Sequence, residues 1–189
     1  YNADRQQGIV AHAFFNATQN SITNGTTYNQ ATGGVTVKPE NINGNWNASG
    51  MFGFNTALKD KRFTVSTFSR VGYTYLYNQQ TTVNDKNTST TLNLGEDVRG
   101  TFRNDWFEFT VNGSINYNFE KNKLRPENNQ EPYTFGYGAS TNINMPWNMS
   151  LSTNITNNAR RGYRDASMNR NELIWNAQIA QSFLKGNAA

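Results

Sequence analysis

Residues 106–120 alternate with a period of two. Phe107, Phe109, Val111, Gly113, Ile115, Tyr117 and Phe119 occupy the odd positions, and Glu108, Thr110, Asn112, Ser114, Asn116, Asn118 and Glu120 the even ones. Only Trp106 breaks the rule, at one end. A helix would scatter the apolar set around its circumference; a strand puts it on one face. A chain that repeats this pattern along its length is confined to all-β folds in which one sheet face meets apolar surroundings and the other meets water.

The pattern does repeat. Residues 44–58 set Trp46, Ala48, Phe52, Phe54 and Leu58 against asparagine and serine, and residues 63–77 set Phe63, Val65, Val71, Tyr73, Tyr75 and Tyr77 against Thr64, Ser66, Arg70 and Thr74. Residues 92–102, 133–145, 147–155 and 173–183 read the same way, and the stretch from Gly8 to about Tyr28 does so less cleanly, because Val10 and Phe14 fall on its polar side. The sequence therefore predicts about eight long antiparallel strands. Short connections are expected at 59–62, 104–105, 145–147 and 185–187, and longer polar ones near 29–34, 79–88, 121–131 and 158–170. Short turns at one end and long loops at the other describe an up-and-down meander.

Strand length discriminates among the folds with such faces. A propeller blade needs four short strands per repeat of about 40–45 residues, whereas each repeat here holds two strands of roughly 11–16. Soluble sandwich strands usually run to about 5–6 residues; a strand crossing a bilayer needs about 9–11. Trp46, Trp106, Trp147 and Trp175 lie near expected strand ends or a few residues inside, and Tyr73, Tyr75 and Tyr77 cluster towards a long-loop end. Girdles of Trp and Tyr at both interfaces are expected of membrane barrels, although aromatics are also good strand formers. Glu96, between Leu94 and Val98, is the main charge on the apolar faces; it either sits near an interface or marks a bulge at Gly95.

Composition narrows the function. Asn, Thr and Ser number 31, 21 and 11, a third of the 189 residues, while charged residues reach only 16% and aromatics 13%; so many aromatics argue against disorder. No apolar run is long enough for a transmembrane helix. The absence of cysteine excludes thiol chemistry and disulfides, and one histidine, His12, leaves no room for a His-rich metal centre. The 17 Lys and Arg are scattered without a basic stripe, so the +4 net charge does not point to nucleic acid.

Asn-Ala-Arg-Arg-Gly-Tyr at 158–163, Asn-Glu-Leu-Ile-Trp-Asn-Ala at 171–177 and Ser-Phe-Leu-Lys-Gly at 182–186 resemble the late barrel strands of outer-membrane β-barrel proteins of Bacteroidota, which are similar to TonB-dependent receptors. Asn-Gly-Asn-Trp at 43–46, Phe-Asn-Thr-Ala-Leu at 54–58 and Asn-Asp-Trp-Phe-Glu at 104–108 fit the same pattern. The resemblance covers about residues 8–186 and implies a barrel wall in the bacterial outer membrane, taking up a nutrient with a plug and an energy-coupling protein or surface lipoprotein as partners. Full-length members of the family also carry a signal peptide, an upstream plug-like domain and a barrel of about twenty strands. The expectation is thus that residues 1–189 form a single region, part of a transmembrane barrel in contact with outer-membrane lipid, without plug or signal peptide.

No catalytic constellation is visible, and neither an enzyme nor a cofactor is expected. Arg70, Asp97, Arg99 and Glu108 share the polar parity and would face the lumen, either as a charged lining that selects solute or contacts a plug, or as an internal ion-pair network. Arg160, Arg161, Tyr163 and Arg164 fall in a long loop, expected to be extracellular, that is either a ligand contact or simply solvated. A non-transport scaffold or secretion-associated barrel and a soluble β-sheet binding module are the competing functional readings.

Overall fold

The computed structural model describes residues 7–29, 31–58, 61–79 and 86–182. Ten strands account for most of them: β1 (Gly8–Thr18), β2 (Ser21–Tyr28), β3 (Val35–Ile42), β4 (Asn45–Leu58), β5 (Phe63–Gln79), β6 (Lys86–Arg103), β7 (Phe107–Asn122), β8 (Tyr133–Met145), β9 (Met149–Arg161) and β10 (Asn171–Gln181). Eight form one antiparallel sheet in the order β1-β4-β5-β6-β7-β8-β9-β10, and β2 and β3 pair separately. The sheet is a meander with one excursion, the β2–β3 hairpin, at its long-loop end.

That excursion corrects the sequence reading. Residues 8–28 are two strands, not one: the chain breaks at Asn20, whose φ of 53° leaves the extended region. The connection expected at 29–34 is the tip of the hairpin, closed by Gly33 N–H to Asn29 O and Asn29 N–H to Gly34 O, both at 2.8 Å. Two tryptophans also move. Trp106 lies in the turn before β7, where the Asn104 side chain accepts the N–H groups of Trp106 and Phe107 at 3.1 and 2.8 Å; this is why it breaks the alternation. Trp147 lies inside the 146–148 turn, with φ of 63°, an unusual conformation for a bulky residue. The short turn expected at 185–187, and Phe183, lie outside the described residues.

Register joins the separate alternations into two continuous faces. One ladder row runs Ile9–Phe54–Thr67–Val98–Gly113–Tyr137–Asn157–Leu173, crossing all eight strands on the apolar parity. A second runs Val65–Gly100–Val111–Ala139–Ile155–Trp175. The first row begins one residue inside the short-turn end of β1 and finishes eight residues inside that end of β10. The stagger never reverses from strand to strand, as it must where strands tilt across a curving sheet.

Glycines show which face is crowded. A Cβ at Gly53, Gly95, Gly136 or Gly138, four of the five glycines on the polar parity of β4 to β8, would meet another atom at 2.7–2.9 Å, and the fifth, Gly72, at 3.9 Å. On the apolar parity the nearest contacts at Gly50, Gly100 and Gly113 are 3.3, 3.5 and 3.9 Å. Side chains converge on the concave side of a curved sheet, so this asymmetry fits a polar concave face.

The apolar face has no covering layer among the described residues. Ile9, Phe15, Leu173, Trp175 and Ile179 are each more than 60% exposed, and only Ile42 and Ala159 are buried hydrophobics. The chain exposes 13486 Å², against roughly 9,100 Å² expected of a compact globular protein of this mass. No helix is long and apolar enough to cross a membrane, which leaves crossing by strands untouched.

Candidate functional site

The polar face carries the charges. Arg70 on β5 and Gly95 on β6 are cross-strand partners. A Cβ at Gly95 would stand 3.0 Å from Arg70 Nε; without one, the guanidinium lies across β6. There Arg70 Nη2 meets Asp97 Oδ2 at 2.6 Å and Asn116 Oδ1 at 3.3 Å, over the Phe68 ring. This is the role of Gly95. The register passes through Gly95, Glu96 and Asp97 without a skip on either side, so the bulge expected there does not exist.

Near the short turns, Arg103 Nε and Nη2 both donate to Glu108 Oε2 at 2.5 Å, bridging the 104–106 turn. Thr110 beside them is buried and shares a 3.0 Å hydrogen bond with Thr101. The four lumen candidates therefore divide. Arg70 and Asp97 neutralise each other, Glu108 is taken by Arg103, and Arg99 makes no ion pair or hydrogen bond among the described residues. Both ion pairs are partly exposed, a setting in which such a pair contributes roughly 0–1 kcal/mol.

Of the four residues expected in the long loop, Arg160 and Arg161 end strand β9 instead, because β9 stays paired with β8 through Arg161, and only Tyr163 and Arg164 lie in the loop. Arg161 Nη1 donates to the carbonyls of Arg160 and Arg170 at 2.8 and 3.0 Å, and Arg164 Nη2 reaches Asn129 O at 3.5 Å. The Tyr163 backbone and the Asn169 side chain exchange two hydrogen bonds. Gly162, with φ of 81°, packs directly on the Glu131 carbonyl, so loop 162–170 rests on loop 123–132. Arg160 shares the polar parity through its pairing with Thr134. Tyr163 lines a recess of about 760 Å³ together with Arg70, Asn116 and Asn118. The structure thus sets Tyr163 and Arg70 around one recess and leaves Arg161 and Arg164 engaged with backbone carbonyls.

A short turn in the same loop is held by a carboxylate. Asp165 accepts Ser167 N–H at 2.9 Å, and its carboxyl is held below the usual carboxylate range chiefly by the Ser167 hydroxyl and then by that N–H. A lowered folded pKa means that the stabilisation is complete above the unfolded value and is lost as pH falls through the folded one. The protection of the 166–168 amides, taken relative to their intrinsic exchange rates, should therefore fall as pH drops below the ordinary carboxylate range. In the Asp165→Asn variant that protection should not change across the same window.

On the apolar face the aromatics gather into two bands. Trp46 stacks on Tyr73 and Tyr75 at 5.1 and 6.1 Å and touches Phe15 at 6.0 Å, with Tyr77 beyond at 6.5 Å from Tyr75. At the short-turn end Phe63, Phe102, Phe107 and Trp106 follow one another at 4.7–6.2 Å. Trp147 projects from its turn, 80% exposed, and Trp175, the fifth residue of β10, donates its indole N–H to Thr153 Oγ1 at 2.9 Å. Ten residues of β5 separate Phe63 from Tyr73, about 33 Å along the strand at about 3.3 Å per residue. Glu96 lies between them, accepting hydrogen bonds from the Thr67 and Ser69 hydroxyls of β5.

Sequence reasoning overlooked Arg103, Lys61 and Arg62, which sit at or beside short turns, and Phe68 and Met51, apolar residues on the polar parity. Arg103 and Glu108 flank a short turn and carry opposite charges, a signal that would have paired them. Among the described residues no group of three or more His, Cys, Asp or Glu could hold a metal ion. Comparison with family models, curated proteins and solved structures returns no match.

Proposed function

We propose that this chain is part of the wall of a bacterial outer-membrane β-barrel of the TonB-dependent type, through which a nutrient is taken up. The observation that carries the reading is the uncovered apolar face, continuous across eight registered strands and bounded by two aromatic bands. In water, that much apolar surface calls for a covering layer; in a bilayer, lipid supplies it. At the strand tilt of about 40° that such barrels have, the stretch of β5 between the bands would span a height of roughly 25 Å, that of the apolar belt.

The mechanism uses no covalent chemistry. The wall presents asparagine, threonine and serine to a watery lumen, and solute would meet Arg99 and the Arg70–Tyr163 recess there. The strand edges β1 and β10, which have no outer partner among the described residues, would be sealed by further strands. A scaffold barrel is the second reading. It is favoured by the β2–β3 hairpin, whose Ile22, Val35 and Val37 are exposed at the long-loop end.

The test is fractionation of the native protein, followed by circular dichroism and heat-modified gel mobility in detergent. Recovery in the outer membrane with detergent-dependent β structure is expected. A monodisperse β-rich protein in plain buffer would overturn the reading and leave a soluble binding module.

A further inference from the structure

Arg99 does not stand alone. It lines two adjoining recesses on the polar face, of about 660 and 630 Å³, which also share Ser66. The second, at the short-turn end, is lined as well by Lys61, Arg62, Arg103 and Thr101, with Glu108 its one carboxylate among the described residues. Strand pairing assembles this set from three places in the chain. Arg103 N–H bonds to Arg62 O at 2.8 Å, bringing the 61–62 turn against the end of β6, and Ser66 faces Arg99 across the β5–β6 ladder. Four cations therefore surround a recess in which one negative charge is already taken by Arg103.

We infer that this recess is a binding site for a small multivalent oxyanion, a solute bearing phosphate or clustered carboxylate groups. Arg99 supplies an unengaged guanidinium fork matched to such oxygens, Lys61 and Arg62 supply field, and the Ser66 and Thr101 hydroxyls can complete the hydrogen bonding. Glu108 acts against the ligand by repulsion and by occupying Arg103. The proposal deepens the transport reading and rests on it for the identity of the cargo; the binding itself needs only the folded sheet.

The test is calorimetric titration of the folded full chain, in lipid-free detergent micelles, with pyrophosphate as probe and choline chloride as control. Saturable pyrophosphate binding is expected. Arg99→Gln should weaken it about tenfold, as loss of a charge-assisted contact does. Glu108→Gln should instead tighten it by about threefold or more, because it removes a repelling charge and releases Arg103. That opposite sign separates ligand contact from a structural role, and the lipid-free micelle separates a soluble anion from a lipid headgroup. No saturable binding by the folded wild type, or equal binding by all three proteins, would overturn the site. Binding by a chain that fractionates outside the outer membrane would uphold the site and sink the transporter.

Discussion

Replacing Ile155 with arginine is expected to be the most damaging single change on the sheet surface. Ile155 stands six residues from either end of β9, on the apolar parity, with Ala139 and Trp175 opposite it and no carboxylate in its ladder row. In a bilayer an arginine at that depth costs about 2–4 kcal/mol. Asn154, its neighbour, faces Ser140 and Asn176 on the polar side, where Asn154→Arg should change stability by no more than about 0.5 kcal/mol. Urea titrations in lipid vesicles measure both. The two faces differ sharply only if lipid covers one of them; in water Ile155 is already 43% exposed, and an arginine there would be tolerated.

The second large effect concerns curvature. A Cβ at Gly138 would meet the Ile155 carbonyl oxygen at 2.8 Å and Thr156 Cγ2 at 2.9 Å, and backbone cannot step aside as a side chain can. Gly138→Ala should cost about 1–3 kcal/mol through overpacking. Gly113→Ala, on the other face with nothing closer than 3.9 Å, should be neutral or stabilising by up to about 1 kcal/mol, because it reduces the freedom of the unfolded chain. Denaturation midpoints of the two variants compare them directly. Equal losses would show that the polar face is not the crowded, concave one.

Much of this sheet was legible before any coordinates. Residues 44–58, 63–77, 92–102, 133–145 and 173–181 all alternate, and register places their apolar sets on one face, because a side-chain period of two leaves a half-buried strand only one orientation. The hairpin was not legible. Val35–Ile42, with Lys38-Pro39-Glu40 inside it, carries no expected strand, yet Pro39 is tolerated in a two-stranded ribbon, where every strand is an edge. Charged residues could be assigned to a face but not paired. Face follows from parity within one strand, whereas the Arg70–Asp97 contact depends on the β5–β6 register and on the missing side chain at Gly95. The same limit hid the Arg99 recess, whose cations lie some forty positions apart in the chain and meet only through strand pairing.

Glu96 shows how one residue can resist a sequence rule. Its parity holds, while the bulge at Gly95, one of the two explanations open to it, is absent. The Thr67 and Ser69 hydroxyls meet its carboxyl directly, and buried or lipid-facing polar groups are retained when such partners are present.

The absence of cysteine makes the most direct experiment simple, since any introduced thiol is unique. Single cysteines at positions 111–116 of β7 would be placed in vesicle-inserted protein and challenged with a membrane-impermeant maleimide. The barrel wall predicts alternation: positions 112, 114 and 116 label from water, while 111, 113 and 115 are protected and instead contact lipid-borne quenchers. Labelling of both parities from water would contradict it.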